Sequence, residues 1–570
     1  MPPARPTFPA AQRLVFALGG GLLLLAALLF AARDAVDVAA YLGRAATSTA
    51  VFGLVFALAW HFETSTRRSY GALQRIPIAV WAVVVALAAA AAEHLVFDGM
   101  PHTSDEAAYQ FQARALAQGR LGFPPPTEFD FFNFVHLSDA GGIWHGIMNP
   151  GWPALLAPAM KLGVPQWLNP LLAASTLGLL FGALRRSIGD AAARLCAIGI
   201  ALSPFFVFQA ATAMSHTSNL FVFALFLYAW ERQRRGDTPT AAALGWAAIA
   251  GFALALGATI RPLDTAIAAA PFGVWQLAEA LRERRGFSNL LVTGLLASVG
   301  VAALLGYNDA LTGDPWVFPQ EIHFERLHPN QRFGFGFGPM MGTVAHGPEW
   351  PGYFPSDIPR VTGHRLLVGF EDVHGAPALL IAALLAFARP RRDGPWATAL
   401  LASAIGVVLV YAGHFYHGIA YGSRHYALAL PGVVAALAIP AARAAEDGGR
   451  SARFARAAVL ATAACALGVA TPRLVDEYSA DYREASGAIR EASERAQLHH
   501  ALVFVHADRW GWKSAFPLND YPLELNEVLY ARDLGERNRV LRERYPDRVA
   551  YLARFGADGL AHLRQLPRLR

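Results

Sequence analysis

The 570-residue sequence is short of charge. Asp, Glu, Lys and Arg make up 16% of it, against about 25% in an ordinary soluble domain. So little charge cannot clothe a water-facing surface, which excludes a compact cytosolic enzyme and a disordered chain. There are two cysteines, Cys196 and Cys465, too few for a disulfide-stapled secreted domain or a cysteine-based metal finger. Both fall in apolar runs and read as small fillers. Lysine occurs only at Lys161 and Lys513, so nearly all positive charge is arginine. There is no Walker-type loop, Rossmann fingerprint or nucleophile elbow, which argues against direct use of ATP or NAD.

What the sequence does have is apolar runs: 55% of residues are hydrophobic and the mean hydropathy is +0.32. A helix crossing about 30 Å of hydrocarbon needs about 20 mainly apolar residues. Candidates are 14–32, 46–62, 76–97, 168–184, 193–210, 214–230, 241–258, 262–280, 288–305, 368–387, 396–412, 426–443 and 456–470. The chain therefore reads as a polytopic α-helical membrane protein with about thirteen transmembrane helices. The pair flanking Arg261-Pro262 could instead be a broken or re-entrant unit. The runs lack the alternation of barrel strands. The first is long enough to span and reads as a retained helix, not a cleaved signal.

The net charge is +6, but the arginines cluster between apolar runs and read as topology signals, not as a nucleic-acid footprint. Alternate loops are rich in them: Arg67, Arg68 and Arg75; Arg185 and Arg186; Arg232, Arg234 and Arg235; Arg282, Arg284 and Arg285; Arg389, Arg391 and Arg392; Arg443, Arg450, Arg453 and Arg456. The intervening short loops hold only Arg33, Arg44, Arg261 and Arg424. The positive-inside rule makes the rich set cytoplasmic, with the N-terminus inside and the C-terminus outside. The longer segments 98–166 and 306–367, and the chain after residue 473, then lie on the outer face. Residues 474–570 are more charged and read as a small extracytoplasmic α/β domain: an amphipathic stretch at 483–498, a buried strand at 501–505 and a helix over 525–543. Such a domain is small enough to need support from the membrane part.

In the first outer segment, 105–118 is expected to form a short amphipathic helix at the interface, and Pro124-Pro125-Pro126 prevents its continuation. Asp105-Glu106 could coordinate a cation, accept a proton or cap this helix, and Asp105 is placed as its N-cap. The second outer segment, with FGFGFGP at 333–339 and aromatics at 350–353, suits either burial against the membrane face or covering a lipid or glycan chain.

These residues carry a family resemblance. Asp105-Glu106-Ala107-Ala108-Tyr109, continuing through Ala113 to Leu121, resembles the first-loop signature of GT-C glycosyltransferases. The similar subgroup is the polyprenyl-phosphate-sugar-dependent one, protein-mannosyltransferase-like and aminoarabinose-transferase-like. Asn149-Pro150-Gly151-Trp152-Pro153 is similar to its Pro-Pro-Gly-type segment, with Asn149 in place of the first proline. Gly422-Ser423-Arg424-His425-Tyr426 resembles its Arg-Tyr element, with His425 intervening. The resemblance covers roughly residues 70 to 445. It makes 76–473 a GT-C-like transmembrane domain and 1–75 a two-helix N-terminal extension.

The resemblance implies an inverting membrane glycosyltransferase of the bacterial cytoplasmic membrane. It would move a sugar from a polyprenyl-phosphate donor to a cell-envelope glycan, lipid or protein on the extracytoplasmic face. Asp105 would activate the acceptor, and Glu106 would share that role or bind a cation. Arg424 and Arg261 would seat the lipid phosphate, since a planar guanidinium offers several charged hydrogen bonds; snorkelling to headgroups is the plainer alternative. Relatives often carry an acid near position 216, where this sequence has His216. His216, His145 and His425 are candidate metal or substrate contacts, and a divalent cation is a candidate cofactor, screening the leaving phosphate. The alternative function is a lipid-linked saccharide transporter or a non-enzymatic envelope protein, although paired halves and charges deep in the spans are not evident.

Overall fold

The computed structural model describes residues 10–327, 329, 334–342, 349–377, 390–416, 419–479, 482–506, 511–556 and 559–569. Most expected spans fall on helix, but 193–210 is broken between Ala201 and Pro204, and 368–387 begins inside the helix Ile358–His374, which stops at Gly375 in the left-handed region, with 378–387 outside the described residues. Among the described residues, eight helices are long and apolar enough to cross a membrane, or nine if Asp190–Ala201 and Pro204–Ala210, bent by 61°, form one span. The shortfall from thirteen has a physical source in helices such as Ser215–Arg234. Its first turns carry Ser215, His216, Thr217, Ser218 and Asn219, all buried in protein. A helix enclosed by other helices need not be apolar on every face.

Side-chain contacts sort the loops into the two sets that the arginines mark. At one end of the bundle, Arg453 and Arg456 meet Glu63, Arg186 meets Asp237, and Arg234 meets Glu279. At the other, Arg424 meets Asp105, Arg44 meets Glu371, and Arg473 meets Asp372. The helices Ala10–Ala31 and Val38–His61 are fastened at this second end: Tyr41 Oη donates to the Leu367 carbonyl at 3.2 Å, and Leu25, Leu29 and Tyr41 are buried with Leu367.

The C-terminal region contains a four-stranded sheet in the order Val528–Arg532, Ala501–Val505, Val549–Phe555, Ala561–Gln565. The first three strands run parallel and the last antiparallel. The strand expected at 501–505 is present and wholly buried. The helix expected over 525–543 is not: a strand occupies Val528–Arg532, and helix begins only at Asn538–Arg544. Burial of Leu529, Tyr530 and Ala531 against the central strand outweighs the helix-forming Glu and Arg around them.

Ala488, Ile489, Leu502, Phe504, Trp512, Phe516 and Tyr521 share one core with Ala108, Phe111, Phe123, Phe131, Phe134 and Trp144 of the 98–166 segment. Phe134 stacks on Phe516 at 4.2 Å. The small C-terminal sheet thus shares its core with the 98–166 segment. The expected interfacial helix is Ser104–Ala117, but it is enclosed on most sides: Ala107, Ala108, Tyr109, Phe111, Gln112, Ala113 and Ala115 are all buried. In the second long segment, Gly338–Pro339 pairs with Gly352–Tyr353, and Tyr353, Met341 and Phe415 form a small core. Phe335 and Phe337 stay about two-fifths exposed.

Candidate active site

The site grows from the start of the Ser104–Ala117 helix. Thr103, not Asp105, is the N-cap. Thr103 Oγ1 accepts from Glu106 N, and Glu106 Oε2 accepts from Thr103 N at 3.0 Å, which is a capping box. Glu106 is buried and takes five donors: His102 N, Thr103 N and Oγ1, Tyr421 Oη, and Ala213 N. Its carboxylate ties the helix start to the 211–214 turn and to Tyr421. The geometry gives it a fastening role, with little lone-pair capacity left for chemistry.

Relieved of capping, Asp105 faces charged partners. Arg424 Nη2 donates to its Oδ2 at 3.1 Å, and His136 Nδ1 stands 3.1 Å from Oδ1, an ion-pair distance off the hydrogen-bonding line. The Asp105 side chain keeps 21% of its surface exposed. Burial pushes its pKa up, but the imidazole contact and the charges of His136, Arg424 and Arg261 outweigh burial and hold it well below the usual carboxylate range. Asp105 is therefore an ionised carboxylate within reach of solvent.

Arg261 closes the break between helices Thr240–Ile260 and Pro262–Ala280. Its guanidinium bonds Asp264, donates to Tyr411 Oη at 2.8 Å and lies 3.3 Å from His425 Nδ1. Tyr411 Oη in turn donates to Asp264. His425 stacks on Tyr411 at 4.8 Å, and its ring centre is 5.9 Å from that of His216 and 5.3 Å from that of His414. Asp105, Arg424, Arg261, His216 and His425 thus belong to one cluster. His145 does not join it by any contact: its Nδ1 faces the carbonyl of Gly146, in a short ladder with Ser138.

Several buried nitrogens in the cluster have no partner: both of His216, Nε2 of His425 and Nε of Arg424. Buried polar atoms are nearly always satisfied, so a group of orphaned nitrogens beside two guanidiniums marks a place for an anion. A divalent cation fits this donor set poorly, because Arg261 and Arg424 share the space with both imidazoles. Among the described residues no group of three or more His, Cys, Asp or Glu side chains converges as metal ligands.

A cavity of about 630 Å³ lies on the opposite side of the Ser104–Ala117 helix, lined by Glu106, Gln110, Arg114, Trp152, Asn169 and Arg490. Asp105 and Arg424 are not among its lining residues.

His136, Tyr411, Asp264 and His414 were not singled out in the sequence. His136 follows an aromatic stretch with no motif around it. The Thr103–Glu106 spacing is a legible capping signature and would have released Asp105 from that duty.

The chain matches no family description and no curated protein. Solved structures do show likeness. ArnT from Cupriavidus metallidurans, bound to undecaprenyl phosphate, is 14% identical with a TM-score of 0.48, covering 84% of this chain and 92% of that one. The oligosaccharyltransferase of Archaeoglobus fulgidus, in complex with Zn and sulfate, is 15% identical with a TM-score of 0.42, covering 70% and 53%. The archaeal oligosaccharyltransferase AglB from the same organism, in complex with an inhibitory peptide and a dolichol-phosphate, is 12% identical with a TM-score of 0.39, covering 85% and 74%.

Proposed function

We propose that the protein is a membrane glycosyltransferase that moves a sugar from a polyprenyl-phosphate donor to a hydroxyl acceptor on the extracytoplasmic face. The observation that carries this reading is the Asp105–Arg424 pair beside Arg261 and the unpartnered nitrogens of His216 and His425. An ionised carboxylate next to an anion seat is what a displacement at a sugar phosphate needs. The motif resemblance supplies the donor class.

In the reaction, the acceptor oxygen bonds to the anomeric carbon as the bond from that carbon to the phosphate oxygen breaks. The acceptor's proton passes to Asp105, and the bonding electrons leave with the phosphate. A single displacement inverts the anomeric configuration. Asp105 also opposes the positive charge that develops on the sugar ring. Arg424 and Arg261 take up the charge growing on the leaving oxygen, and His216 and His425 offer nitrogens to the other phosphate oxygens.

The Asp105–Arg424 ion pair couples binding to chemistry. A phosphate that engages Arg424 draws one counter-charge off the carboxylate and raises its basicity, so the base strengthens as the donor arrives. No step runs through a metal, because the donor set does not suit one.

The test is transfer by purified, reconstituted protein given radiolabelled polyprenyl-phosphate sugars and envelope acceptors, compared with Asp105→Asn. Transfer that is lost in the variant supports the reading. Transfer that survives intact removes Asp105 from the chemistry, and translocation of the labelled lipid without transfer would favour a transporter.

A further inference from the structure

Arg365 plays no part in the mechanism above, yet it is a large, fully buried side chain with 0% exposure. It lies in the helix Ile358–His374, well away in sequence from every motif. Its Nη1 donates to the carbonyl of Tyr411 at 2.5 Å, and its Nη2 donates to those of His414, at 2.9 Å, and Tyr416. Its own carbonyl accepts from Ser423 Oγ. One guanidinium thereby fixes three carbonyls of the connection between two membrane helices, and its peptide group holds the residue just before Arg424.

The side chains on those anchored residues point into the cluster. Tyr411 bonds Arg261 and stacks on His425, His414 lies beside His425, and the Arg424 guanidinium stands 6.0 Å from the Tyr416 ring centre. The turn leading to Arg424 is held from the same helix. Gly422 has φ +69°, and a Cβ there would meet the carboxylate of Asp372, seven residues beyond Arg365 in the same helix. The positive φ favours glycine at 422.

We propose that Arg365 is a positioning residue for the anion seat, and that its three-carbonyl clamp sets the placement of Tyr411, His414 and Arg424 on which lipid-phosphate binding depends. This rests on the functional reading above, since the seat is the donor-phosphate site. Lysine cannot replace it: a single ammonium keeps the charge but lacks the planar fork that reaches three acceptors at fixed angles. Burial of the guanidinium without those carbonyls would leave unpaired donors, so the clamp and the charge are retained together.

The experiment uses the full-length protein in nanodiscs, with Arg365→Lys and Arg365→Met beside the wild type and Arg424→Ala. Two properties are read: hydrogen exchange of the 411–416 and 421–426 peptides without ligand, and binding of undecaprenyl phosphate. The expected result for Arg365→Lys is loss of protection confined to those peptides, with the rest of the exchange map unchanged, and a lipid-phosphate affinity at least tenfold weaker. Arg365→Met should lose both to a greater degree. Unchanged protection in Arg365→Lys, or loosened peptides with wild-type affinity, overturns the proposal. A wild type that binds no lipid phosphate overturns the functional reading instead. The exchange arm needs no ligand, so it separates that failure from failure of the clamp.

Discussion

Two arginines at one end of the membrane bundle sit in different surroundings from Arg424 at the other. At the arginine-rich end, Arg234 lies between the rings of Trp230 and Trp275, 4.1 and 4.0 Å from their centres, and grips both oxygens of Glu279. Arg453 stacks 4.6 Å from the Trp60 ring, donates to the Trp60 carbonyl and meets Glu63. Those guanidiniums sit in cages of rings, carbonyls and carboxylates. At the other end Arg424 has one carboxylate contact, an orphaned Nε and buried imidazoles with free nitrogens around it. An orphaned Nε alone does not set Arg424 apart, since those of Arg232 and Arg456 are also buried without a partner; the unpartnered imidazole nitrogens beside it do, and together they suit an anion. The sharpest way to break this contrast is to remove the acid that Arg424 touches. Asp105→Asn is expected to reduce transfer by about 10² to 10⁴, the usual worth of a positioned general base, while leaving lipid-phosphate affinity intact or tighter. Radiolabelled transfer and a binding isotherm measured together check it; parallel losses in both would mean that the carboxylate supports binding instead.

Replacing one arginine from each end tests the contrast directly. Arg424→Ala is expected to weaken binding of the lipid phosphate by about 1.5–3 kcal/mol, the range for hydrogen bonds to charged groups, which is about tenfold to a hundredfold in Kd. Arg234→Ala should leave that Kd alone and lower the melting temperature, because it removes a carboxylate pair and two ring contacts at the far end. If both variants bind alike, the distinction between anchoring and seating arginines fails.

Much of this was legible in the residues, for reasons that show where legibility stops. The helices could be read because lipid demands long apolar runs with internally satisfied backbones. Asp105 and Arg424 were singled out by the motifs they stand in, and Arg261 by its place at a helix break on the face poor in arginine; their meeting in one cluster is what the structure adds. The strand at 501–505 was visible as a short apolar run bounded by polar residues. The strand at 528–532 was not, because Val-Leu-Tyr-Ala-Arg suits helix or strand equally and only pairing with Ala501–Val505 decides it. His136 and Arg365 escaped for a related reason: each owes its role to a part of the chain far away in sequence, and nothing local marks it. Adjacent acids were the hardest to separate. Asp105 and Glu106 look alike on paper, yet a helical turn sends one toward Arg424 and the other into a cap.

That division gives a prediction of intermediate size. Glu106→Gln keeps the shape but removes the charge that five donors address. A cap of this kind is worth about 1 kcal/mol, so the variant should melt about one degree lower in a chain of this size. Its residual transfer, normalised to folded protein, should far exceed that of Asp105→Asn. Equal defects in the two variants would mean that both acids serve the chemistry.

The smallest expected effect lies where the sheet domain meets the reacting end. Lys513 Nζ donates to the carbonyl of Arg483, and burial first, then the neighbouring Arg483 charge, pushes its pKa down to about 8. An unfolded lysine titrates near 10.4. Between these values the unfolded chain holds a proton that the folded one has released, so stability rises with pH across this window. Below pH 8 the ammonium is charged in both states, and its burial beside Arg483 is a constant penalty. Raising the pH from 8 toward 10 removes that penalty, and Lys513→Met never has it. The melting temperature of the wild type, measured relative to Lys513→Met, should therefore climb from pH 8 to pH 10 and stay level between pH 6 and pH 7.5. A difference that is flat throughout would mean that Lys513 is solvated and that the seam does not crowd its cations.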